Sequence, residues 1–325
     1  MKLRSGEPDN EWIMARKNNE WIMAAAQRIT NDLERRKRLR DVSQPLTLMF
    51  GNYAYREVLI NQMLGFHTLK FTNYEVVCLD QQLADFMASI GKPCIADLVE
   101  AGIPIIWRAR LQLVDKLLER GTSVLLTDAD AVWIKNPMEF LKDADIVAQR
   151  GSWPFYVSNL LGATACMGFA YFAGSPEVFD FFHDQVLSKF RDDDQVALNA
   201  ALMENGIYFD HKLDYEESRN IDRGIVPATV DRRKLHVDFL DHYRFPRLCE
   251  ATPLNADTVM AHCYTPKNAH AKVLVLKNMS LYWLKDDWEQ APRNKDFEAF
   301  ITSSASVSAI QKQAIEDSRL NTADT

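Results

Sequence analysis

The segment Ser123-Val124-Leu125-Leu126-Thr127-Asp128-Ala129-Asp130 constrains this chain more than any other stretch. Its apolar run reads as a strand buried on both faces, which requires covering elements on either side of a sheet. The end of such a strand opens at the mouth of the sheet, and two aspartates stand there, two positions apart. With nothing positive between them they would repel, so either one holds a proton or a cation is present. Carboxylate oxygens are hard ligands and favour magnesium or manganese over zinc. A bare Asp-x-Asp is common in surface turns. Its place after an apolar strand and before Val132-Trp133-Ile134-Lys135-Asn136-Pro137 gives it weight.

Around this segment the pattern alternates. Leu46 to Phe50, ending at Gly51, and Glu75 to Leu79 read as buried strands, as does Ser123 to Thr127. Tyr55 to Leu64 reads as a helix stopped by Gly65. Ala109 to Leu118 carries a helical stripe of Leu111, Val114, Leu117 and Leu118. Ser175-Pro176 is a capping pair for a helix bearing Val178, Phe181, Phe182 and Phe190. A further helix is expected over Asp194 to Glu204, closed by Asn205-Gly206. This alternation predicts an α/β sheet with ligands beyond the carboxyl ends of parallel strands. Three regions follow: a helical segment over 1–44, an α/β domain over 45–300, and a poorly packed tail over 301–325. The first contains Asn-Glu-Trp-Ile-Met-Ala twice, from Asn10 and from Asn19.

A net charge of -7 with dispersed acidic residues argues against nucleic acid as a partner. The one basic cluster, Arg35 to Arg38, reads as a solvated helix end, with a membrane-surface or acceptor contact as the alternative. No run of eighteen apolar residues marks a membrane span. The expected location is the cytoplasm, or the Golgi lumen if an anchor precedes the chain. Cys78, Cys94, Cys166, Cys249 and Cys263 lie far apart with no CxxC pair. No disulfide framework is legible, which favours a reducing compartment with Cys78 as a small core residue.

Taken with its flanks, Leu125 to Pro137 resembles the metal-binding signature of nucleotide-diphospho-sugar transferases of glycosyltransferase family 77, distant relatives of family 8. The resemblance runs from about Leu46 to Leu284. It implies a GT-A, Rossmann-like fold: a mixed, mostly parallel central sheet flanked by helices. Thr47 to Tyr55 is similar to the family's first strand and loop, which touches base and ribose through Gly51, Asn52 and Tyr53. Arg110 matches an arginine that contacts the donor in family 8, and Ala129 lies within the donor-binding signature. Asp193 to Asn199 looks like the Asp-Gln-x-x-x-Asn block beside the anomeric carbon, which makes Asp194 and Gln195 the catalytic candidates. Ala261-His262, followed by Lys267 and an amphipathic helix to Trp283, resembles the C-terminal segment whose histidine completes the metal site. The implied metal ligands are therefore Asp128, Asp130 and His262, with Lys267 as the cation for a β-phosphate. The chain also departs from the family. Cys166-Met167-Gly168-Phe169 stands where an Asn-Ser/Thr-Gly-Phe turn is usual on the acceptor side, and Ala173 or a neighbour replaces the arginine often found after it. Cys263-Tyr264 follows His262 in place of the commoner small and Asn residues.

The resemblance implies a retaining, manganese- or magnesium-dependent glycosyltransferase. It would move a sugar from a UDP-sugar to a hydroxyl of a glycan or glycoprotein acceptor. No carboxylate nucleophile is legible, so front-face attack assisted by the departing phosphate is expected, with Asp194 or Gln195 steadying the sugar. Two alternatives stand beside it. One is a haloacid-dehalogenase-like phosphatase with an Asp-x-Asp nucleophile and Asp192-Asp193-Asp194 as its late acidic motif. The other is a non-catalytic sugar-binding relative. Asp194 and Gln195 also suit a plain helix start, whereas the spacing of Gln195 and Asn199 on one helical face goes beyond what capping needs. Trp107, Trp133, Trp153 and Trp283 read as core or sugar-stacking residues.

Overall fold

The computed structural model describes Gln27 and residues 44–92, 94–96, 103–215, 219–229, 233–247, 249, 254–265 and 267–290. The duplicated Asn-Glu-Trp-Ile-Met-Ala segments and the tail over 301–325 lie outside the described residues. Among the described residues ten strands are formed: β1 (Leu46–Gly51), β2 (Tyr74–Cys78), β3 (Ile95–Ala96), β4 (Val124–Thr127), β5 (Val132–Trp133), β6 (Ile146–Gly151), β7 (Thr164–Phe172), β8 (Asp222–Val226), β9 (Leu235–Leu240) and β10 (Met260–Ala261). The α-helices there are α1 (Arg56–Thr68), α2 (Gln81–Ser89), α3 (Ile103–Leu118), α4 (Phe155–Leu161), α5 (Pro176–Phe181), α6 (Asp194–Glu204) and α7 (Ala269–Asn278).

Eight strands form one sheet in the order β3-β2-β1-β4-β7-β6-β9-β8, and β10 pairs with β5 in a second, two-stranded sheet. β1 runs parallel to β2 and β4, β2 to β3, and β6 to β9. β7 is antiparallel to both β4 and β6, and β8 to β9. This is the mixed, mostly parallel sheet that the resemblance implies. Alternate residues face two cores, as strand geometry requires. Met49, Leu125 and Val147 join α1, α2 and α7 on one face, while Leu48, Leu126 and Ile146 join α3, α5 and α6 on the other. Burying both faces places the ligand-accessible edge at the strand ends.

Several local expectations change. Gly65 does not stop α1, which continues to Thr68. A β-carbon at Gly65 would run into the Trp283 ring, so this glycine answers to packing across elements. Phe190 falls outside the helix opened by Ser175-Pro176, because α5 passes into a π-helical turn ending at Leu187. The C-terminal helix stops at Asn278, short of Trp283. The expectation of reduced cysteines is overturned. Cys78 is bonded to Cys94 and Cys249 to Cys263, leaving Cys166 free and buried. Parallel pairing of Val77 with Ile95 brings the first two together, a proximity that sequence spacing does not reveal.

Candidate metal and donor site

β4 delivers Asp128 to the carboxyl edge of the sheet, where β7 is irregular. Ala148 pairs with Ala170, but the next residue, Gln149, pairs with Cys166. Met167, Gly168 and Phe169 are therefore extra, and an odd number of extra residues reverses the in–out alternation. Accordingly Ala165 and Met167 share a core with Ala170 and Phe172. The Gly168 carbonyl accepts from the Asp128 amide at 2.7 Å. A β-carbon on Gly168 would collide with His262 Cε1 and lie 2.8 Å from Asp128 Oδ2. The expected turn at Cys166 to Phe169 is thus a bulge within a strand, and it presses glycine against the site.

Just past Asp130 the chain enters β5, and pairing of Val132 with Ala261 brings His262 alongside. Ligand atoms of Asp128, Asp130 and His262 all lie within 4.8 Å of one another. His262 Nε2 is 3.8 Å from Asp128 Oδ2 and 3.9 Å from Asp130 Oδ2. Gln149 Nε2 donates to the carbonyls of Phe245 and Pro246, which leaves its Oε1 to accept from His262 Nδ1 at 2.9 Å. With the proton on Nδ1, donated to Gln149, the Nε2 lone pair faces the carboxylates; Arg247, which can only donate to Nδ1, favours the other tautomer. Burial, helped by Arg247, lowers the His262 pKa to about 3 against the opposing pull of Asp130 and Asp128. The imidazole is neutral, the form that binds metal.

Three cations surround the carboxylates. Arg110 on α3 donates from Nε to Asp194 Oδ2 at 2.5 Å and from Nη1 to Asp128 Oδ1 at 3.0 Å. Lys272 on α7 pairs with Asp130 Oδ2. Arg247 Nη1 lies 2.7 Å from His262 Nδ1, and among the described residues no carboxylate lies within ion-pair distance of it. Burial would raise the Asp128 pKa, but Arg110 above all, with Lys272 and Arg247, holds it low. Burial raises Asp194 to about 6 despite Arg110. Burial works against the charged Lys272, yet Asp130 and Asp128 raise its pKa. Three carboxylates thus face three cations, and a divalent ion would leave a surplus of two positive charges. Two carboxylates, one neutral imidazole and a glycine floor with no room for a side chain fit a divalent ion such as manganese or magnesium.

Of the residues singled out in the sequence, the structure brings Asp128, Asp130, His262, Arg110 and Asp194 together. Gly51 closes β1, and Asn52 and Tyr53 follow it at the same edge. Tyr53 N donates to Asp80 Oδ2 at 3.0 Å, and Asn52 Oδ1 has no hydrogen-bond partner among the described residues. Ala129 is buried between the two aspartates. Lys267 lies over the Trp107 ring at 4.6 Å, and the lysine found on the carboxylates is Lys272. Asp194 is 2% exposed beneath Arg110. Gln195 accepts from Met167 N at 3.1 Å and donates to the Trp153 carbonyl at 2.5 Å. Asn199 takes both the N–H and the C=O of Ala165. The shared helical face of Gln195 and Asn199 therefore grips β7. Asp193 caps α6 through Val196 N, a structural use of the acidic run. Sequence reasoning misses Lys272, Arg247 and Gln149, and nothing in their spacing marks them. Gly168, a glycine inside an apolar strand, does carry a signal for a bulge.

Residues 69–276 match the family model described as nucleotide-diphospho-sugar transferase. The chain belongs to this family. It is 24% identical over 212 residues to arabinosyltransferase XEG113 of Arabidopsis thaliana, covering 57% of this chain and 33% of the relative. It is 23% identical over 272 residues to beta-arabinofuranosyltransferase RAY1 of the same organism, covering 77% and 48%. The chain thus spans about half or less of these relatives. Among solved structures, the apo form of the glycosyltransferase GlyE of Streptococcus pneumoniae aligns with a TM-score of 0.37 at 12% identity, over 70% of this chain and 56% of that one. Among the described residues no helix is long and apolar enough to cross a membrane.

Proposed function

We propose that this family member transfers a sugar from a UDP-sugar donor to a hydroxyl of a glycan or glycoprotein, with manganese or magnesium held by Asp128, Asp130 and His262. The observation that carries this reading is the convergence of those three ligands within 4.8 Å, ringed by cations that a bound ion would leave in excess. A diphosphate ester supplies the two negative charges that restore the balance. A bound divalent ion adds Lewis-acid charge that stabilises the departing nucleotide. Arg110 orients Asp128 and keeps it ionised, and Asp194 acts through Arg110. Lys272 and Arg247 face the diphosphate, with Lys267 reaching it from the rim. Gly51, Asn52 and Tyr53 take the base and ribose, and Gln195 fixes the bulge beneath the sugar.

Asp194, covered by Arg110, is poorly placed as a nucleophile. Given the retention that the family resemblance implies, this favours front-face attack, in which an oxygen of the departing phosphate takes the acceptor proton. The names of the two plant relatives make UDP-arabinose the first donor to try, and two disulfides favour an oxidising compartment such as the Golgi lumen. The test is UDP release from UDP-sugars with manganese. Asp128→Asn and Asp130→Asn, purified and folded, are expected to lose about 10²–10³-fold in rate, the scale of a lost charge-stabilising group. Wild-type turnover in either variant rejects the metal role. Release of free phosphate from simple monoesters instead would point to the phosphatase.

A further inference from the structure

Beside the donor site lies an apolar surface that the roles above do not use. Trp153, Phe155, Tyr156 and Leu160 are between 49% and 66% exposed. They occupy the end of the loop after β6 and the helix α4. From Gly151 to Pro176 the chain carries no acidic, basic or histidine residue. Clustered exposure of this kind marks a binding surface more often than scattered exposure does.

The backbone under this surface is tied to the donor site. The Trp153 carbonyl accepts from Gln195 Nε2 at 2.5 Å and from Thr164 Oγ1 at 2.6 Å. Ser158 Oγ donates to the Ser152 carbonyl at 2.8 Å. Through its Oε1, Gln195 also holds the Met167 amide, next to the Gly168 that touches Asp128 and His262. One glutamine side chain therefore links the aromatic surface to the bulge that floors the metal ligands. Trp153 and Phe155 meet edge to face, with ring centroids 5.4 Å apart, so the two rings present differently oriented surfaces.

We propose that Trp153, Phe155 and Tyr156 form the acceptor subsite, on which the C–H face of a neutral sugar ring stacks. The proposal rests on the transferase reading above, since it places the acceptor next to the donor. The negative π face of an aromatic ring attracts the weakly positive C–H bonds of a sugar. The segment that bears the rings, Gly151 to Gly162, carries no charge of its own, which suits a neutral acceptor. A membrane surface is a poorer fit, because interfacial helices carry Lys and Arg on their polar face and α4 has neither.

Saturation-transfer NMR with cellobiose and xylobiose, in the presence of magnesium and UDP, tests this. Saturation of aromatic protons is expected to pass to the sugar C–H protons. Trp153→Ala and Phe155→Ala are expected to raise the half-saturating disaccharide concentration by about tenfold, the scale of one aromatic contact. Trp153→Phe should recover part of the loss, and the melting shift produced by UDP with magnesium should persist in all three variants. Disaccharide binding unchanged in both alanine variants overturns the proposal. So does the absence of binding to the wild type, or ring-dependent sedimentation with phosphatidylcholine vesicles in place of sugar binding. Ring-dependent sugar binding by a protein that UDP and magnesium do not stabilise supports the subsite while refuting the donor reading.

Discussion

At Gly168 the backbone of β7 comes so close to His262 and Asp128 that a single methyl group would displace one of these two proposed metal ligands. Gly168→Ala is therefore expected to weaken manganese binding by at least about tenfold while costing only about 1–3 kcal/mol in stability. Calorimetric titration of manganese into a variant with native circular dichroism decides this, and unchanged affinity would refute it. His242 offers a test through pH. Burial, with Arg150 and Arg247 adding to it, lowers its pKa to about 4. A histidine depressed in the fold contributes stability that is complete above its ordinary pKa of 6.5 and is lost as pH falls toward 4. Asp194, raised to about 6, works the other way: the fold takes up its proton first, adding stability as pH falls below 6. Replacing His242→Phe removes the first effect and keeps the second. Its melting temperature should fall less between about pH 6.5 and pH 4 than that of the wild type, and an equal or steeper fall would contradict the assignment.

Among the elements, the bulge in β7 depends on α6. Asn199 is buried and satisfies both polar groups of Ala165, and Gln195 holds Met167. Asn199→Ala leaves two strand groups unpaired and should destabilise the protein by about 2–4 kcal/mol, read from urea denaturation. A loss below about 0.5 kcal/mol would mean that the bulge holds itself. Elements of this kind differ in how well sequence reports them. β1, β2 and β4 are legible because an unbroken apolar run has no stable alternative to burial. Asp194 to Glu204 is legible because Asp193 caps it and Asn205-Gly206 closes it. The end of α1 is not, because Gly65 is dictated by Trp283, more than two hundred residues away. The disulfides are not, because their pairing follows from register and loop return, not from spacing. Lys267 and Lys272 both follow His262, and sequence favours the nearer one. In the structure Lys272, on α7, pairs with Asp130, while Lys267, before the helix, lies over Trp107.

For the whole molecule, the site is assembled from α3, the end of β4, the bulge in β7, the start of α6, the segment after β9 that carries Arg247, the residues after β10, and α7. Its charges are balanced only when all of these are in place. Without a metal ion, Asp128, Asp130 and Asp194 offset Arg110, Lys272 and Arg247 in sum, so a cation meets no net negative charge, and a diphosphate meets, of these three cations, only Arg247 outside an ion pair among the described residues. A divalent ion alone adds two charges to a site whose cations already match its carboxylates, and a diphosphate alone must displace none of the anions yet face them. Together they cancel. Each is therefore expected to tighten the other, and because binding linkage is reciprocal the factor must be the same in both directions. A coupling of about 1–3 kcal/mol corresponds to roughly 5–150-fold. Titrating UDP with and without manganese, and manganese with and without UDP, measures both factors. Lys272→Gln removes one cation and should weaken UDP binding in the presence of manganese, while relieving competition at Asp130 and tightening manganese in the absence of UDP. If UDP binds equally well with and without the ion, the charge balance does not govern the site, and the ring of cations around Asp128 and Asp130 serves only to stabilise the fold.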